Sequence, residues 1–349
     1  MKAFEYAAPR RESELAGLFS DRPGATAVLA GGTDLVGLMK KMIVAPDRVV
    51  NIKEIASLYG ISADSAGVTV GAVTRLDEML DSADLDAFPA VKQAIRGINS
   101  MQLQSQGTIG GELCQRPRCW YFRNGCGLPT ELGRMVERGD NRYHAIFGNR
   151  GPAKYVSASR IAPALVALGA SVRIVGPASG EAVEGPPKNG APVAQDGNAL
   201  GEAIMPLADF FVTPRAPHQG ETVLDPDQIV THIHIPRDEQ IASATYEVRQ
   251  SEGPEYPLAA AAAALRIEAG VVTEARIVLG QVAPVPWVSE AAAAAVVGQA
   301  VTPESARAAG EAAVARATPL SQNRYKVQLA RVSVERAILQ AAGLETGGF

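Results

Sequence analysis

The chain has 349 residues, more than the roughly 250 to 300 that one hydrophobic core usually supports, so we expect two or three domains. A formal net charge of −4, with no basic run, argues against a nucleic-acid surface. The first residues contain no apolar signal region, and no apolar run approaches the roughly 18 residues that span a membrane. These features predict a soluble chain without its own export signal.

A glycine turn near residue 31 joins a predicted strand to a predicted helix. The run Thr26 to Ala30 is β-branched and apolar, Gly31-Gly32 follow, and apolar residues recur at helical spacing after Asp34. A further strand at 48–52 completes a βαβ unit. The turn leaves backbone N–H groups unpaired, which suits a phosphate, although such turns also serve as simple corners. Because GxGxxG and GxxxxGK[ST] are absent here, neither a Rossmann nor a nucleoside-triphosphate loop is indicated.

The middle of the chain contains a long irregular segment with all three cysteines. Residues 60–73 alternate like a hairpin, and two helices are predicted at 76–83 and 88–98. From 99 to 154 no regular element is predicted, and a loop of this length is usually functional or disordered. Three clustered cysteines favour metal or iron–sulfur ligation over disulfides, although they are one short of the usual four.

The last third of the chain predicts an antiparallel sheet followed by helices. A helix at 161–169 and a strand at 171–175 precede an exposed connection at 176–196 and a proline-rich linker at 213–227. Four strand-like runs then follow at 229–236, 243–250, 262–269 and 274–282, and three helices at 288–298, 303–317 and 323–342. We interpret Ala259 to Ala264 as strand, although alanine alone favours helix.

Four motifs in order resemble one family. They are LAGGTDLV near the start, GTIGGELCQRPRCWYFR after residue 106, PLADFF at 206 and NRYKVQLARVSVERAI near the end. Together they resemble the FAD-binding medium subunit of molybdenum hydroxylases of the xanthine dehydrogenase and carbon monoxide dehydrogenase type, especially the aldehyde oxidoreductase branch. The resemblance implies an α+β fold of the p-cresol methylhydroxylase type, with two lobes around FAD and a C-terminal domain that contains an antiparallel sheet and helices.

Together, these observations divide the chain into three parts. We predict a first FAD-binding lobe at 1–55, a second lobe at 56–215 with a Cys-containing loop at 112–154, and a C-terminal domain at 220–349.

The resemblance implies that two glycine turns surround the FAD diphosphate. The residues it assigns are Leu29, Ala30, Gly31, Gly32, Thr33, Asp34 and Leu35 in the first turn, and Thr108, Gly110 and Gly111 in the second.

The chain departs from the family pattern near the second turn. Relatives commonly carry Arg-Asn where this chain has Gln104-Ser105, Asn at the position of Glu112, and Asp at the position of Arg160. A carboxylate beside a diphosphate is repulsive unless it turns away, whereas an arginine could contact a phosphate or ribose oxygen.

The cysteines match only part of an iron–sulfur motif. In the aldehyde oxidoreductase branch, a loop that begins RC[WY]YF holds a 4Fe-4S cluster with four cysteines. Cys119 and Cys126 match the first two, and Ala153 stands where relatives place a later one. We expect that the cluster is lost. The alternative is a cluster held by Cys114, Cys119, Cys126 and one non-cysteine ligand.

The resemblance implies an oxidoreductase subunit without catalytic side chains of its own. It would pass electrons from iron–sulfur clusters to FAD and on to NAD, a quinone or oxygen, beside a molybdopterin-binding large subunit and a 2Fe-2S small subunit. The alternatives are a flavin-free structural subunit and a free-standing flavin reductase. We expect a cytoplasmic location, or periplasmic if a partner subunit carries the export signal.

Other candidate residues have ordinary structural explanations beside the functional ones. His232 and His234 share a predicted strand face, but no third metal ligand is nearby in sequence. His144 lies in the Cys-containing loop, where it could contact a flavin or a cluster. Trp287 could pack near the flavin or in the core, and Lys326 is expected to be structural.

Overall fold

A parallel sheet of three strands forms the N-terminal part of the chain. The computed structural model describes residues 1–177, 200–216, 219–251, 253 and 255–346. The strands are β1 (Glu5–Ala7), β2 (Thr26–Leu29) and β3 (Arg48–Asn51), in the order β1-β3-β2, and helix α1 (Leu35–Lys40) connects β2 to β3. The predicted βαβ unit is therefore confirmed. Its core contains Leu15, Val50 and Ile55, all shielded from water.

A five-stranded antiparallel sheet forms the centre of the second lobe. Its order is β4-β5-β8-β6-β7, and small helices cover one face. The elements are β4 (Ile61–Ala63), β5 (Gly67–Gly71), α2 (Leu76–Asp81), α3 (Pro89–Arg96), α4 (Met101–Gln106), α5 (Ile109–Leu113), α6 (Trp120–Arg123), α7 (Gly133–Arg138), α8 (Ala162–Ala167), β6 (Ser171–Pro177), β7 (Leu200–Pro206), α9 (Leu207–Phe210) and β8 (Ile229–Pro236). Most of the predicted connection at 176–196 lies outside the described residues.

Strand β8 corrects one part of the predicted organisation. The run at 229–236 was expected in the C-terminal sheet, but β8 pairs with β5 and β6 of the second lobe. His234 faces Thr69 of β5 in register, and Ile233 is fully buried in the core of this lobe. The chain therefore returns to the second lobe once more before it enters the C-terminal domain.

The C-terminal domain is an antiparallel sheet of four strands with three helices. The strands are β9 (Ile241–Val248), β10 (Ala259–Glu268), β11 (Val271–Gly280) and β12 (Trp287–Val288), and the helices are α10 (Glu290–Val296), α11 (Pro303–Val314) and α12 (Tyr325–Ala341). Strand β10 is buried on both faces. Ala261 and Ala263 pack in the core of this domain, whereas Ala262 and Ala264 pack against the second lobe. Small side chains let helices approach both faces closely.

None of the helices in the described part of the chain is long and apolar enough to cross a membrane.

Candidate functional site

The first glycine turn lies between β2 and α1. Gly32 has φ +72°, a backbone conformation that side chains other than glycine rarely adopt. In the part of the chain that the structure describes, the backbone amides of residues 31–35 donate to no protein acceptor, and the first helical bond runs from Val36 N to Gly32 O at 3.2 Å. The turn therefore presents several unpaired N–H groups, a favourable environment for an anion.

The second glycine turn is built from α5 and touches the first. A Cβ atom at Gly31 would lie 1.8 Å from the carbonyl oxygen of Gln106, so only glycine permits this approach. Thr108 begins α5, and its hydroxyl accepts a hydrogen bond from Gly111 N at 3.2 Å. Gly110 packs on Ala72, where a Cβ would lie 2.8 Å from the alanine Cβ. Two turns almost eighty residues apart in sequence thus come into contact.

An interlobe cavity of about 370 Å³ opens between these turns. Nine of the ten residues predicted to bind the cofactor line it: Ala30, Gly31, Gly32, Thr33, Asp34, Leu35, Thr108, Gly110 and Gly111. Leu29 lies behind the turn, since its Cδ1 would be 3.2 Å from a Cβ at Gly32. Arg116, which the sequence did not single out, also lines the cavity, and its guanidinium pairs with Glu221 at 3.1 Å. The free amides fit the diphosphate of a dinucleotide.

Asp34 lines the interlobe cavity and also binds the Cys-containing loop. Its carboxylate accepts hydrogen bonds from Arg118 Nη1 at 2.7 Å, Arg123 Nη1 at 2.6 Å and the backbone N–H of Arg116 at 2.9 Å. At the N-cap position of α1, its side chain makes no capping hydrogen bond to the helix. Asp34 therefore anchors the Cys-containing loop to the first glycine turn.

Glu112 turns away from the interlobe cavity. One carboxylate oxygen accepts hydrogen bonds from Arg160 N at 2.6 Å and from the Ser159 hydroxyl at 3.2 Å, at the start of α8. Removal from water raises the pKa of Glu112 to about 7, and the hydrogen bonds at the helix start only partly offset this effect. The repulsion expected between Glu112 and a diphosphate is therefore avoided by its orientation.

The other residues that depart from the family pattern also make contacts within the protein. The buried Arg160 guanidinium binds both carboxylate oxygens of Glu247, at 3.0 and 2.6 Å, so it does not extend towards a phosphate or ribose. Gln104 Nε2 donates to Ile98 O at 2.8 Å near the end of α3, and the Ser105 hydroxyl donates to Gln102 O at 3.3 Å.

The three cysteines do not form a ligand set. Cys114 packs beside the core of the second lobe, Cys119 packs in a small cluster with Phe122 and Leu132, and Cys126 is exposed. Burial raises the pKa of Cys114 to about 12 and also raises that of Cys119. Among the described residues, no three or more His, Cys, Asp or Glu side chains are grouped so as to hold a metal ion. As placed, Cys114, Cys119 and Cys126 do not fit an iron–sulfur cluster.

His144 and Lys326 lie together under the Cys-containing loop. His144 Nε2 is 3.2 Å from Cys119 Sγ, and burial lowers the pKa of His144 to about 4. Lys326 Nζ donates to the carbonyl oxygens of Gln281, His144 and Tyr143, at 2.7, 3.2 and 3.4 Å. Burial lowers the pKa of Lys326 to about 7. The structural role expected for Lys326 agrees with these contacts, which join α12 to the loop.

The remaining candidates have structural partners. His232 Nε2 lies 2.9 Å from Ser57 O, and His234 Nδ1 lies 3.1 Å from the Thr69 hydroxyl. The two imidazoles share one face of β8 as predicted, each with its own partner. Trp287 stacks on Phe147 with ring centroids 5.2 Å apart, so it packs with the core of the C-terminal domain.

Comparisons with known proteins agree with this architecture. Residues 2–184 match the family described as the FAD binding domain in molybdopterin dehydrogenase, and residues 244–341 match the CO dehydrogenase flavoprotein C-terminal domain. The chain is 28% identical to the aldehyde oxidoreductase FAD-binding subunit PaoB of Escherichia coli K12, over 98% of this chain and 99% of PaoB. It is 25% identical to the carbon monoxide dehydrogenase medium chain of Hydrogenophaga pseudoflava, over 96% of each chain.

Solved structures lead to the same family. The carbon monoxide dehydrogenase of Hydrogenophaga pseudoflava contains a chain that matches with a TM-score of 0.69 and 26% identity, over 97% of each chain. A chain of quinoline 2-oxidoreductase from Pseudomonas putida 86 shares the fold, with a TM-score of 0.71, 22% identity and coverage of 98% of this chain and 99% of that one. The predicted fold class is thus confirmed. The chain belongs to the FAD-binding medium subunits of the carbon monoxide dehydrogenase, aldehyde oxidoreductase and xanthine dehydrogenase family of molybdenum hydroxylases, and is an oxidoreductase flavoprotein subunit.

Proposed function

We propose that this chain holds the FAD diphosphate in the interlobe cavity and uses the flavin to relay electrons. The observation that carries the proposal is the contact between the two glycine turns, which lines one cavity with free amides of residues 31–35 and with Gly110 and Gly111. The amides would bind the diphosphate oxygens, and the missing side chains let the backbone approach them. The bound flavin would supply redox chemistry that no side chain of this chain provides.

We further propose that the electrons come from iron–sulfur clusters on a small partner subunit, after substrate oxidation at a molybdopterin centre on a large one. Two relatives are named medium chains of carbon monoxide dehydrogenase, which supports an assembly with larger and smaller subunits. NAD, a quinone and oxygen all remain candidate acceptors. A cytoplasmic complex is our preferred location, with export beside a signal-bearing partner as the alternative.

We infer that the Cys-containing loop holds no iron–sulfur cluster. The loop supplies three cysteines, two of them packed in different apolar clusters. A 4Fe-4S cluster usually takes four thiolates. Iron analysis of the purified full-length chain tests this inference, and four iron atoms per chain would refute it.

The flavin-free alternative rested on the changes at Gln104, Ser105, Glu112 and Arg160. All four side chains make contacts within the protein, and none of them blocks the interlobe cavity with an unpaired charge. The departures therefore do not favour a chain that has lost its cofactor.

The test compares flavin content in two glycine variants. Gly111→Asp places a carboxylate in the interlobe cavity, and we expect at least roughly tenfold weaker FAD binding because like charges repel in a partly dry site. Gly37→Ala is the matched control, since a Cβ there meets nothing within 4 Å. FAD content is measured from the flavin absorbance, roughly at 450 nm. Wild-type protein that takes up no FAD would refute the proposed function.

A further inference from the structure

The Cys-containing loop carries an excess of positive charge. Residues 112–154 contain eight arginines and lysines but four acidic residues, whereas the whole chain has a formal net charge of −4. Four of the eight form ion pairs on the inner side of the loop or are buried: Arg116, Arg118, Arg123 and Lys154. The other four, all arginines, are exposed. The loop therefore presents positive charge to solvent on a chain that is acidic as a whole.

Two neighbouring elements extend this positive surface. Tyr325 Oη donates to Arg142 O at 3.0 Å, which brings the start of α12 beside the loop. Leu38 of α1 packs with Val136 of α7, which brings the end of α1 there as well. We call the resulting surface the basic face, and five exposed side chains define it: Lys40, Lys41, Arg134, Arg138 and Arg324. Because Arg134 and Arg138 are four residues apart on α7, they share one side of that helix.

The charges of the basic face are not neutralised within the described part of the chain. None of its five cations forms an ion pair with a described acidic side chain. Glu137 lies near them on α7, but its carboxylate binds the buried Lys154 at 2.6 Å. Asp140 binds Arg142 at 2.7 Å. The basic face therefore has a positive potential, which attracts an acidic partner.

Isolated apolar side chains are exposed on the same elements. Met42, Leu128 and Met135 are 53%, 44% and 45% exposed. Met42 also has φ +58°, a strained conformation that holds it at the turn after α1. Methionine side chains adapt well to different contact surfaces. A few apolar contacts among many charges are typical of a transient electron-transfer interface, since permanent subunit interfaces are larger, more apolar and poorer in charge.

The basic face lies close to the interlobe cavity. Leu38 lines that cavity and packs in the same apolar cluster as Val136 of α7. Asp34 also lines the cavity and binds Arg118 and Arg123 of the Cys-containing loop. One layer of side chains thus separates α7 from the cavity. A protein that docks on α7 would be separated from the cavity by this layer alone.

We propose that the basic face is the docking surface for an acidic protein that carries one electron at a time. The electron transfer rests on the proposed function, whereas the docking does not. Each carrier accepts one electron, so two oxidised carriers are reduced for each flavin that holds two electrons, and the flavin releases its protons to solvent. The external acceptor would then be a protein rather than NAD, a quinone or oxygen.

The experiment compares two haem proteins of opposite charge, the acidic cytochrome b5 and the basic cytochrome c. Calorimetric titration measures the binding of each to the full-length chain, with and without FAD. Stopped-flow absorbance measures reduction of the haem by the flavin-loaded chain after photoreduction. Arg134→Glu combined with Arg138→Glu reverses two charges of the basic face. Arg10→Glu combined with Arg96→Glu is the matched control, since it changes the net charge equally at exposed positions on other elements.

We expect cytochrome b5 to bind and cytochrome c not to bind. The affinity for cytochrome b5 should fall as the salt concentration rises, because salt screens the charges. The double reversal on α7 should weaken binding and slow haem reduction about tenfold at low salt, since it removes charges that steer the encounter. The control should change either value by less than about twofold.

Several results would overturn the inference. Equal effects of the two double variants would mean that only the total charge matters. In wild-type protein, equal binding of the two cytochromes, or binding that salt does not weaken, would contradict it without any variant. Tighter binding of a DNA duplex than of cytochrome b5 would assign the basic face to nucleic acid instead.

The outcome for the proposed function is read separately. Wild-type protein that takes up no FAD would refute the proposed function, while binding of cytochrome b5 to the flavin-free chain still tests the basic face. Cytochrome b5 that binds the flavin-loaded chain but receives no electrons from the reduced flavin would overturn the inference as stated.

Discussion

Asp34 shows how a residue within a recognised motif can act on a distant segment. The glycines beside it line the interlobe cavity as predicted, but its carboxylate binds Arg118, Arg123 and the backbone of Arg116. The resemblance to the family implied a place for Asp34 beside the diphosphate, and Asp34 does line the interlobe cavity. Its partners lie more than eighty residues away, and nothing in the local pattern indicates them.

Replacement of Asp34 tests its role as an anchor. Asp34→Asn removes the charge that holds two arginines, and we expect a loss of about 1 to 3 kcal/mol in the free energy of unfolding. Urea denaturation gives this value, and limited proteolysis should show faster cleavage within 112–154. Asp140→Asn is the control, because the Asp140–Arg142 pair in the same loop is more exposed to water and should contribute little to stability. Equal effects of the two substitutions would contradict the anchoring role.

Because Lys326 is buried, we expect the stability of the protein to depend on pH. The unfolded lysine binds its proton up to about pH 10.5, whereas burial lowers the folded pKa to about 7. Between these values the unfolded state binds more protons, so this lysine makes the free energy of unfolding rise as the pH rises. Lys326→Met removes the titrating group. The difference in urea midpoint between wild type and Lys326→Met should therefore change steadily from about pH 7 to 10, in favour of wild type. Parallel curves would show that the ammonium is not desolvated.

At the scale of elements, local patterns predicted most strands and helices but not every pairing. The hairpin of β4 and β5, helices α10 to α12 and the alanine strand β10 follow the predicted pattern closely. Strand β8 was recognised as a strand but placed in the wrong sheet, because its alternation of buried and half-buried residues is equally suited to either sheet. Strand β1 was missed, since three residues give no periodicity.

The close packing around the alanines of β10 can be tested by substitution. Ala263 pairs with Ala244 and Ile277 on the neighbouring strands and is fully buried below the C-terminal helices. Ala263→Val adds two methyl groups where no space is left, and we expect a loss of about 1 to 3 kcal/mol from overpacking, although valine favours strands. Thr273→Val, on an exposed position of the same hairpin, should change stability by less than about 0.5 kcal/mol. Thermal or urea unfolding of both variants checks this, and a stabilised Ala263→Val would contradict the close packing.

At the scale of the whole molecule, a buried ion pair joins the second lobe to the C-terminal domain. Arg160 precedes α8, and Glu247 lies on β9; their side chains are 4% and 8% exposed. From the sequence alone, Arg160 could have contacted a phosphate or ribose oxygen, since it stands where relatives commonly carry Asp. Its partner, Glu247, lies in another domain, so the sequence around Arg160 does not indicate this ion pair.

A double substitution tests this pair. Arg160→Met alone leaves the Glu247 carboxylate buried without its partner, and we expect a loss of about 3 to 5 kcal/mol. Arg160→Met combined with Glu247→Leu should recover most of that loss, because apolar side chains replace a desolvated pair. Urea unfolding of both variants gives the two values. A double variant as unstable as the single one would mean that Arg160 contributes through its packing alone.

The contact of Gly31 with Gln106 has a consequence for the order of assembly. Because the walls of the interlobe cavity belong to segments that meet only after the lobes dock, the cavity does not exist in either lobe alone. A molecule that fills it therefore contacts both lobes and stabilises the docked state. At a hundredfold excess over its dissociation constant, it adds about 2.7 kcal/mol to the free energy of unfolding. The resistance of the chain to heat would therefore depend on how much of this ligand is present.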